Sequence, residues 1–235
     1  MKIISNFSPN YSKKTRNIRD IKFVIIHYTG MQSEIESIKR LKSNKYKVSC
    51  HYLINRGGKI IQMVKDKKIA WHAGKSKWKK LVNLNNYSIG IELVNKGHQF
   101  GYQNFSAKQI NSLILLCKFL KKKYQIKKEN FLGHSDIAPL RKIDPGEKFP
   151  WKRLSNNNLG SWYKKDRKHI KISAKKIESL FFKNLRKIGY NYFSIHKRSP
   201  KDKKIIKSFQ QHFLPDNLTG KIDQKTFKIS HFLTN

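Results

Sequence analysis

Apolar and polar positions along the chain change period several times, and each change marks an element. Residues 22–28, KFVIIHY, form a short apolar run rich in β-branched side chains, which predicts a buried strand with His27 at its C-terminal end. Glu34 to Leu41 has helical spacing. Val48 to Val64, VSCHYLINRGGKIIQMV, splits into two strand-like runs around Asn55-Arg56-Gly57-Gly58, the pattern of a hairpin. Tyr87 to Val94, YSIGIELV, predicts a further strand, and Ser106 to Tyr124 carries Ile110, Leu113, Ile114, Cys117, Phe119 and Leu120 at helical intervals. Together these runs predict an α/β fold with a mixed central β-sheet flanked by helices.

The pattern then breaks. A loop punctuated by Pro and Gly runs from Gly133 to Pro150, and Ser155 to Ser161 has the composition of a linker, so a domain boundary is expected between 155 and 172. Beyond it three short helices are predicted: Ala174 to Lys187 ended by Gly189, Pro200 to Phe213 ended by Pro215, and Asp223 to Leu233 with Asp223 as N-cap. The expected organisation is a first domain over 1–160 and a small three-helix C-terminal domain over 172–235. No long internal repeat is visible.

Charge changes the picture of partners rather than of fold. The 52 Lys and Arg against 14 Asp and Glu give a net charge of +38, a field that concentrates polyanions such as nucleic acid, an anionic lipid surface or a carboxylate-bearing polymer. The same excess is also what lysines spread over solvated faces by compositional drift would give. No helix-turn-helix, zinc-finger or RNP-like pattern accompanies it, so no specific nucleic acid is expected. A 12% aromatic content argues for a packed, folded chain. No apolar run approaches the roughly 18 to 20 residues of a membrane span. The opening MKIISNFSPNYSKKTRN lacks the apolar core of an export signal, which favours a cytoplasmic location, with the cell envelope or periplasm as the alternative. Cys50 and Cys117 are too few for a disulfide framework.

Candidate chemistry centres on histidines and a few carboxylates. A catalytic zinc ion takes three ligands from His, Asp, Glu or Cys and keeps a fourth position open, and His27, His134 and Asp144 can supply such a set. Read singly, His27 is equally a strand-end histidine and Asp144 an Asp-Pro-Gly turn former. Glu92 interrupts the apolar IGIELV and is either a structural ion-pair partner or a tuned general base. Lys142, two residues before Asp144 on an extended segment, projects to the same side and either offers an ammonium for an oxyanion or is one of the many lysines of a basic chain. A cysteine hydrolase built on Cys50 and its neighbour His51 is disfavoured, because adjacent strand residues point to opposite faces.

In order along the chain, FVIIHYTG, VSCHYLI, AWHAG, SIGIELV and GHSDIAPLRKIDPG resemble the zinc-dependent N-acetylmuramoyl-L-alanine amidases of the amidase-2 type, relatives of the peptidoglycan recognition proteins, over residues 20 to 155. The resemblance implies one zinc ion held by His27, His134 and Asp144, with Glu92 and Lys142 at the positions of the catalytic glutamate and lysine. It places His72, Trp71 and His51 on blocks that line the substrate groove. The stretch from LRKIGY through IKSFQQHFLPDNLTGKIDQKT is similar to a small three-helix peptidoglycan-binding domain, whose pattern includes FQxxF followed by GxxDxxT. The implied function is hydrolysis of the amide between N-acetylmuramic acid and L-alanine in peptidoglycan or its muropeptide fragments, by a monomer. The rival readings are a non-catalytic peptidoglycan-binding protein and a basic nucleic-acid binder.

Overall fold

The computed structural model describes residues 1–164 and 174–234. The strands are β1 (Ile3–Ser5), β2 (Tyr11–Thr15), β3 (Phe23–Tyr28), β4 (Tyr52–Ile54), β5 (Ile60–Gln62), β6 (Lys68–Ala70), β7 (Lys77–Trp78), β8 (Leu81–Val82), β9 (Ser88–Leu93) and β10 (Phe131–Gly133). The helices are α1 (Glu34–Lys42), α2 (Ala107–Tyr124), the single turn α3 (His134–Ile137), α4 (Trp151–Ser155), α5 (Ala174–Ile188), α6 (Asp202–Phe213) and α7 (Gln224–Phe232). Side chains set several boundaries. Ser33 and Ser106 each accept a backbone N–H as N-caps of α1 and α2, and Lys121, Lys122 and Lys123 sit where the α2 dipole favours cations. The Asn55–Gly58 turn closes with Gly58 at φ 86°, a conformation that suits glycine.

Six strands form the central sheet in the order β1-β5-β4-β9-β3-β10. Every neighbouring pair is parallel except the β4–β5 hairpin, so the sheet is mixed, as expected. Alternation along the strands divides its faces. Val24 and Ile26 of β3 and Ile89, Ile91 and Leu93 of β9 pack against Ile110, Leu113, Ile114, Cys117 and Leu120 of α2. Phe119, expected on that stripe, instead lies 44% exposed with Lys123 over its ring, because it falls on the outer edge of the helix.

The other face is covered in two pieces. Phe23 and Ile25 of β3, with Leu132 of β10, join Phe181, Phe182, Tyr190, Phe209 and Phe213 in one apolar cluster. Leu53 of β4 and Ile61 of β5 join Leu41 of α1 and Cys50 in a smaller one. Side chains from both sides of the expected 155–172 boundary therefore share a core. Residues 165–172 of that boundary lie outside the described residues. The expected loop from Gly133 to Pro150 contains α3, and the first of the two runs expected within 48–64 is a strand only over Tyr52–Ile54. Among the described residues no helix is long and apolar enough to cross a membrane.

Candidate metal centre

Between the two pieces of cover, the C-terminal ends of β3 and β9 are open. In-register pairing sets His27 beside Glu92 on the same face, since directly paired residues of adjacent strands point the same way. β10 runs parallel to β3 on its other side and delivers His134 at the first residue of α3. The chain then loops back, and the Asp144 carbonyl accepts the Ser135 N–H at 2.9 Å, which returns the Asp144 carboxylate to the two imidazoles. Sequence separations of 107 and 117 residues from His27 thus collapse onto one point.

The three donor atoms form a near-equilateral triangle. His27 Nδ1, His134 Nδ1 and Asp144 Oδ2 are each 3.0 Å from the other two, and all three residues are buried. Around an ion with bonds of about 2.0–2.1 Å, tetrahedral ligand atoms stand roughly 3.3 Å apart, so the triangle is close to the size that zinc takes. His134 Nε2 lies between the Ala73 carbonyl at 3.1 Å, which can only accept, and Arg141 Nη2 at 3.2 Å, which can only donate.

Electrostatics keep these groups in ligating form. Burial, with His134 adding to it, lowers His27 to a pKa of about 4, so its imidazole is neutral at pH 7. Burial alone would raise Asp144, but the neighbouring His134 and His27 hold it well below the usual carboxylate range. Glu92 behaves oppositely: burial and the nearby Asp144 raise it to about 8, with Lys142 pulling the other way. Glu92 Oε2 is buried without a hydrogen-bond partner among the described residues.

These groups line a cavity of about 530 Å³ together with Lys142, Trp71, His72, Arg40 and Arg141. Trp71 is half-buried on its wall. His72 also lines it but is 9% exposed, and its Nδ1 lies 3.0 Å from His27 Nε2. His51, expected on the groove, does not reach the cavity: it is fully buried, accepts the Gly90 N–H at Nδ1 and meets the Arg16 guanidinium and the Lys68 carbonyl at Nε2. These backbone and guanidinium partners hold its ring away from the cavity, edge-on to His72. Cys50 is buried too, and burial followed by the Glu92 charge raises its thiol well above the normal range, which leaves no thiolate for a cysteine hydrolase.

Sequence reasoning missed Asp136. This carboxylate is 1% exposed on α3 and accepts from the Gly133 N–H at 2.8 Å, the Tyr190 hydroxyl at 2.6 Å and His212 Nδ1 at 2.8 Å. Tyr190 follows α5 and His212 lies on α6, so the C-terminal helices grip the turn that bears His134. The only available signal was an acid two residues after a candidate ligand in an acid-poor chain.

Comparison with known proteins places this chain in a family. The amidase-2 family model, described as N-acetylmuramoyl-L-alanine amidase, matches residues 17–147. The N-acetylmuramoyl-L-alanine amidase AmiD of Escherichia coli K12 is 34% identical over 231 residues, which cover 91% of this chain and 82% of that protein. A solved complex of E. coli AmiD with the substrate anhydro-N-acetylmuramic acid-L-Ala-D-γ-Glu-L-Lys superposes with a TM-score of 0.79 at 31% identity, covering 96% of this chain and 92% of that one. AmpDh3 of Pseudomonas aeruginosa, solved with an anhydromuramic pentapeptide, gives 0.80 at 30% identity over 96% of this chain and 95% of that one. Enzymes of this family depend on zinc. The chain belongs to the amidase-2 family of N-acetylmuramoyl-L-alanine amidases.

Proposed function

We propose that His27, His134 and Asp144 hold one zinc ion, and that Glu92 and Lys142 carry the proton and charge work of the reaction. As a family member the protein hydrolyses the amide between N-acetylmuramic acid and the L-alanine of the stem peptide. The observation that supports the assignment is the 3.0 Å triangle of donor atoms beside an unpartnered carboxyl on the floor of an open cavity.

Zinc, when bound, polarises the scissile carbonyl and acidifies a water. Glu92 accepts a proton from the attacking water and delivers it to the leaving amine. Its raised pKa suits both acts, because a group that titrates near neutrality takes and gives protons without a large penalty in either direction. The Lys142 ammonium shares the negative charge that builds on the carbonyl oxygen. Trp71 offers an apolar surface on the wall for the sugar or stem.

Substrate range follows the relatives. The AmiD and AmpDh3 complexes hold anhydromuramyl peptides, and we assign the same class to this cavity. The C-terminal helices serve as a peptidoglycan-binding-like segment. Their FQxxF and GxxDxxT pattern has a clear local reason: buried Gln210 donates to Thr219, Lys221 and Thr226 and accepts the Gly220 N–H, while Asp223 caps α7. The test is zinc analysis joined to mass spectrometry of products from an anhydromuramyl tripeptide. One zinc per chain and release of the intact peptide with free L-alanine at its N-terminus are expected; turnover unchanged after the metal is stripped would overturn the assignment.

A further inference from the structure

His27 stands between two sets of neighbours. Its Nδ1 faces His134 and Asp144, and its Nε2 lies 3.0 Å from His72 Nδ1. His72 Nε2 is in turn 3.2 Å from Ser88 Oγ, and the Ser88 hydroxyl is 2.5 Å from the Leu84 carbonyl. A carbonyl only accepts, so Ser88 gives its single proton to Leu84 and its oxygen accepts from His72. His72 therefore carries its hydrogen on Nε2 and offers a lone pair at Nδ1. That lone pair accepts the Nε2–H of His27, which leaves His27 Nδ1 bare and aimed at the other two donors. The chain of bonds has one direction throughout, fixed at its far end by a backbone oxygen.

We propose that His72 is a positioning residue of the metal centre: it locks His27 in the Nε2–H tautomer and sets its ring angle, so that Nδ1 is free for zinc. The inference rests on the zinc assignment to His27, His134 and Asp144. Metal-bound histidines generally give their second N–H to an acceptor that orients the ring. The carbonyl of Ala73, the residue next to His72, lies 3.1 Å from His134 Nε2, a nitrogen that Arg141 Nη2 also approaches at 3.2 Å. One dipeptide thus touches both imidazoles, and it is itself pinned, because Asn85 Oδ1 accepts the N–H of His72 at 3.1 Å and of Ala73 at 2.7 Å.

The space for this arrangement is built into β9. The His72 ring lies over Gly90, where a Cβ would come within 2.3 Å of His72 Cγ, so any larger residue would evict the ring. Only 9% of His72 is exposed, which leaves little of it for substrate. The AWHAG segment, expected to line the groove, acts here through the ligands more than through the ligand-facing wall.

The experiment compares zinc dissociation constants, by competition with a chromogenic chelator, for the full chain and four variants. His27→Ala tests the underlying assignment: unchanged affinity there sinks the zinc site itself. With that site upheld, His72→Phe, which keeps a flat ring but offers no acceptor, is expected to weaken zinc about 10–100-fold. His72→Asn places an oxygen near the Nδ1 position and should recover most of the loss, although it fills the space less well than Phe. Ser88→Ala, a small change that spares the ring, removes the partner that fixes the tautomer and should weaken zinc several-fold even where His72→Phe fails to fold. Wild-type affinity in both His72→Phe and Ser88→Ala, or an Asn variant no better than Phe, overturns the proposal, since a space-filling role would favour Phe.

Discussion

Replacing Tyr190 by Phe removes one oxygen atom at the junction between the sheet and the C-terminal helices. That hydroxyl donates to Asp136 Oδ1 at 2.6 Å, whereas Gly133 and His212 serve Oδ2, so the variant leaves one oxygen of a buried carboxylate without its donor. A hydrogen bond to a charged group contributes about 1.5–3 kcal/mol, and the upper half is expected here because no water replaces the donor at a residue 1% exposed. For a chain of this size each kcal/mol moves Tm by about 2–4 °C, which gives a fall of roughly 4–12 °C. Tyr46→Phe, at an exposed tyrosine, is the control and should stay within about 0.5 kcal/mol.

The assay is urea and thermal unfolding of the metal-free protein, followed by both tryptophan fluorescence and far-ultraviolet circular dichroism. Because Phe23, Ile25 and Leu132 share a cluster with Phe181, Tyr190 and Phe209, the two probes should move together. A Tyr190→Phe variant with the wild-type midpoint, or one whose helical signal melts early while the rest stays fixed, would refute the reasoning that these helices brace the α3 turn.

Other outcomes follow from the site. Glu92→Gln and Lys142→Met should each lower kcat on an anhydromuramyl peptide roughly 10²-fold or more at unchanged zinc content, and a loss under tenfold would remove either residue from the chemistry. In the metal-free protein the Glu92 pKa is raised from 4.5 to about 8, so its contribution to stability is complete below 4.5 and is lost as pH rises to about 8. Urea midpoints of wild type should therefore fall relative to Glu92→Gln between those pH values, and a constant gap would refute the burial argument. With +38 charges, binding to purified sacculi should weaken steeply as salt rises, and pull-down insensitive to salt would assign retention to the C-terminal helices instead.

What the sequence displayed and what it hid have physical reasons. His27 and Glu92 were legible because a polar side chain stands out in a six-residue apolar strand, where the two-residue period leaves no ambiguity about faces. The strand β10 and the turn α3 were not, since elements of three and four residues are shorter than the periods that reveal them. The Asp136 clamp was invisible for another reason: its partners lie 54 and 76 residues away, and nothing local to Tyr190 or His212 distinguishes them from core residues of a small helical bundle. His51 and His72 looked alike as histidines in aromatic-rich blocks. Their difference arises from the backbone groups that surround them, Gly90 N–H and Lys68 carbonyl for one and the short Ser88–Leu84 relay for the other.

The position of the cavity is itself a consequence of how one sheet face is shared. The cluster under α1 covers the β4 and β5 side, and the C-terminal helices cover β3 and β10. Neither reaches the strand ends between them, so His27 and Glu92 line a cavity where ligands commonly bind in sheets with parallel strands. The C-terminal helices also hold the backbone beside the cavity: Ser208 donates to the Ser135 carbonyl, Lys204 to Leu140 and Gln211 to Ile143. Those three carbonyls lie in the stretch from His134 to Asp144 that supplies two of the three proposed ligands. The C-terminal helices would in this way set the rigidity of the loop that carries the proposed ligands, which couples the affinity of the centre to the packing of helices that contribute no ligand to it.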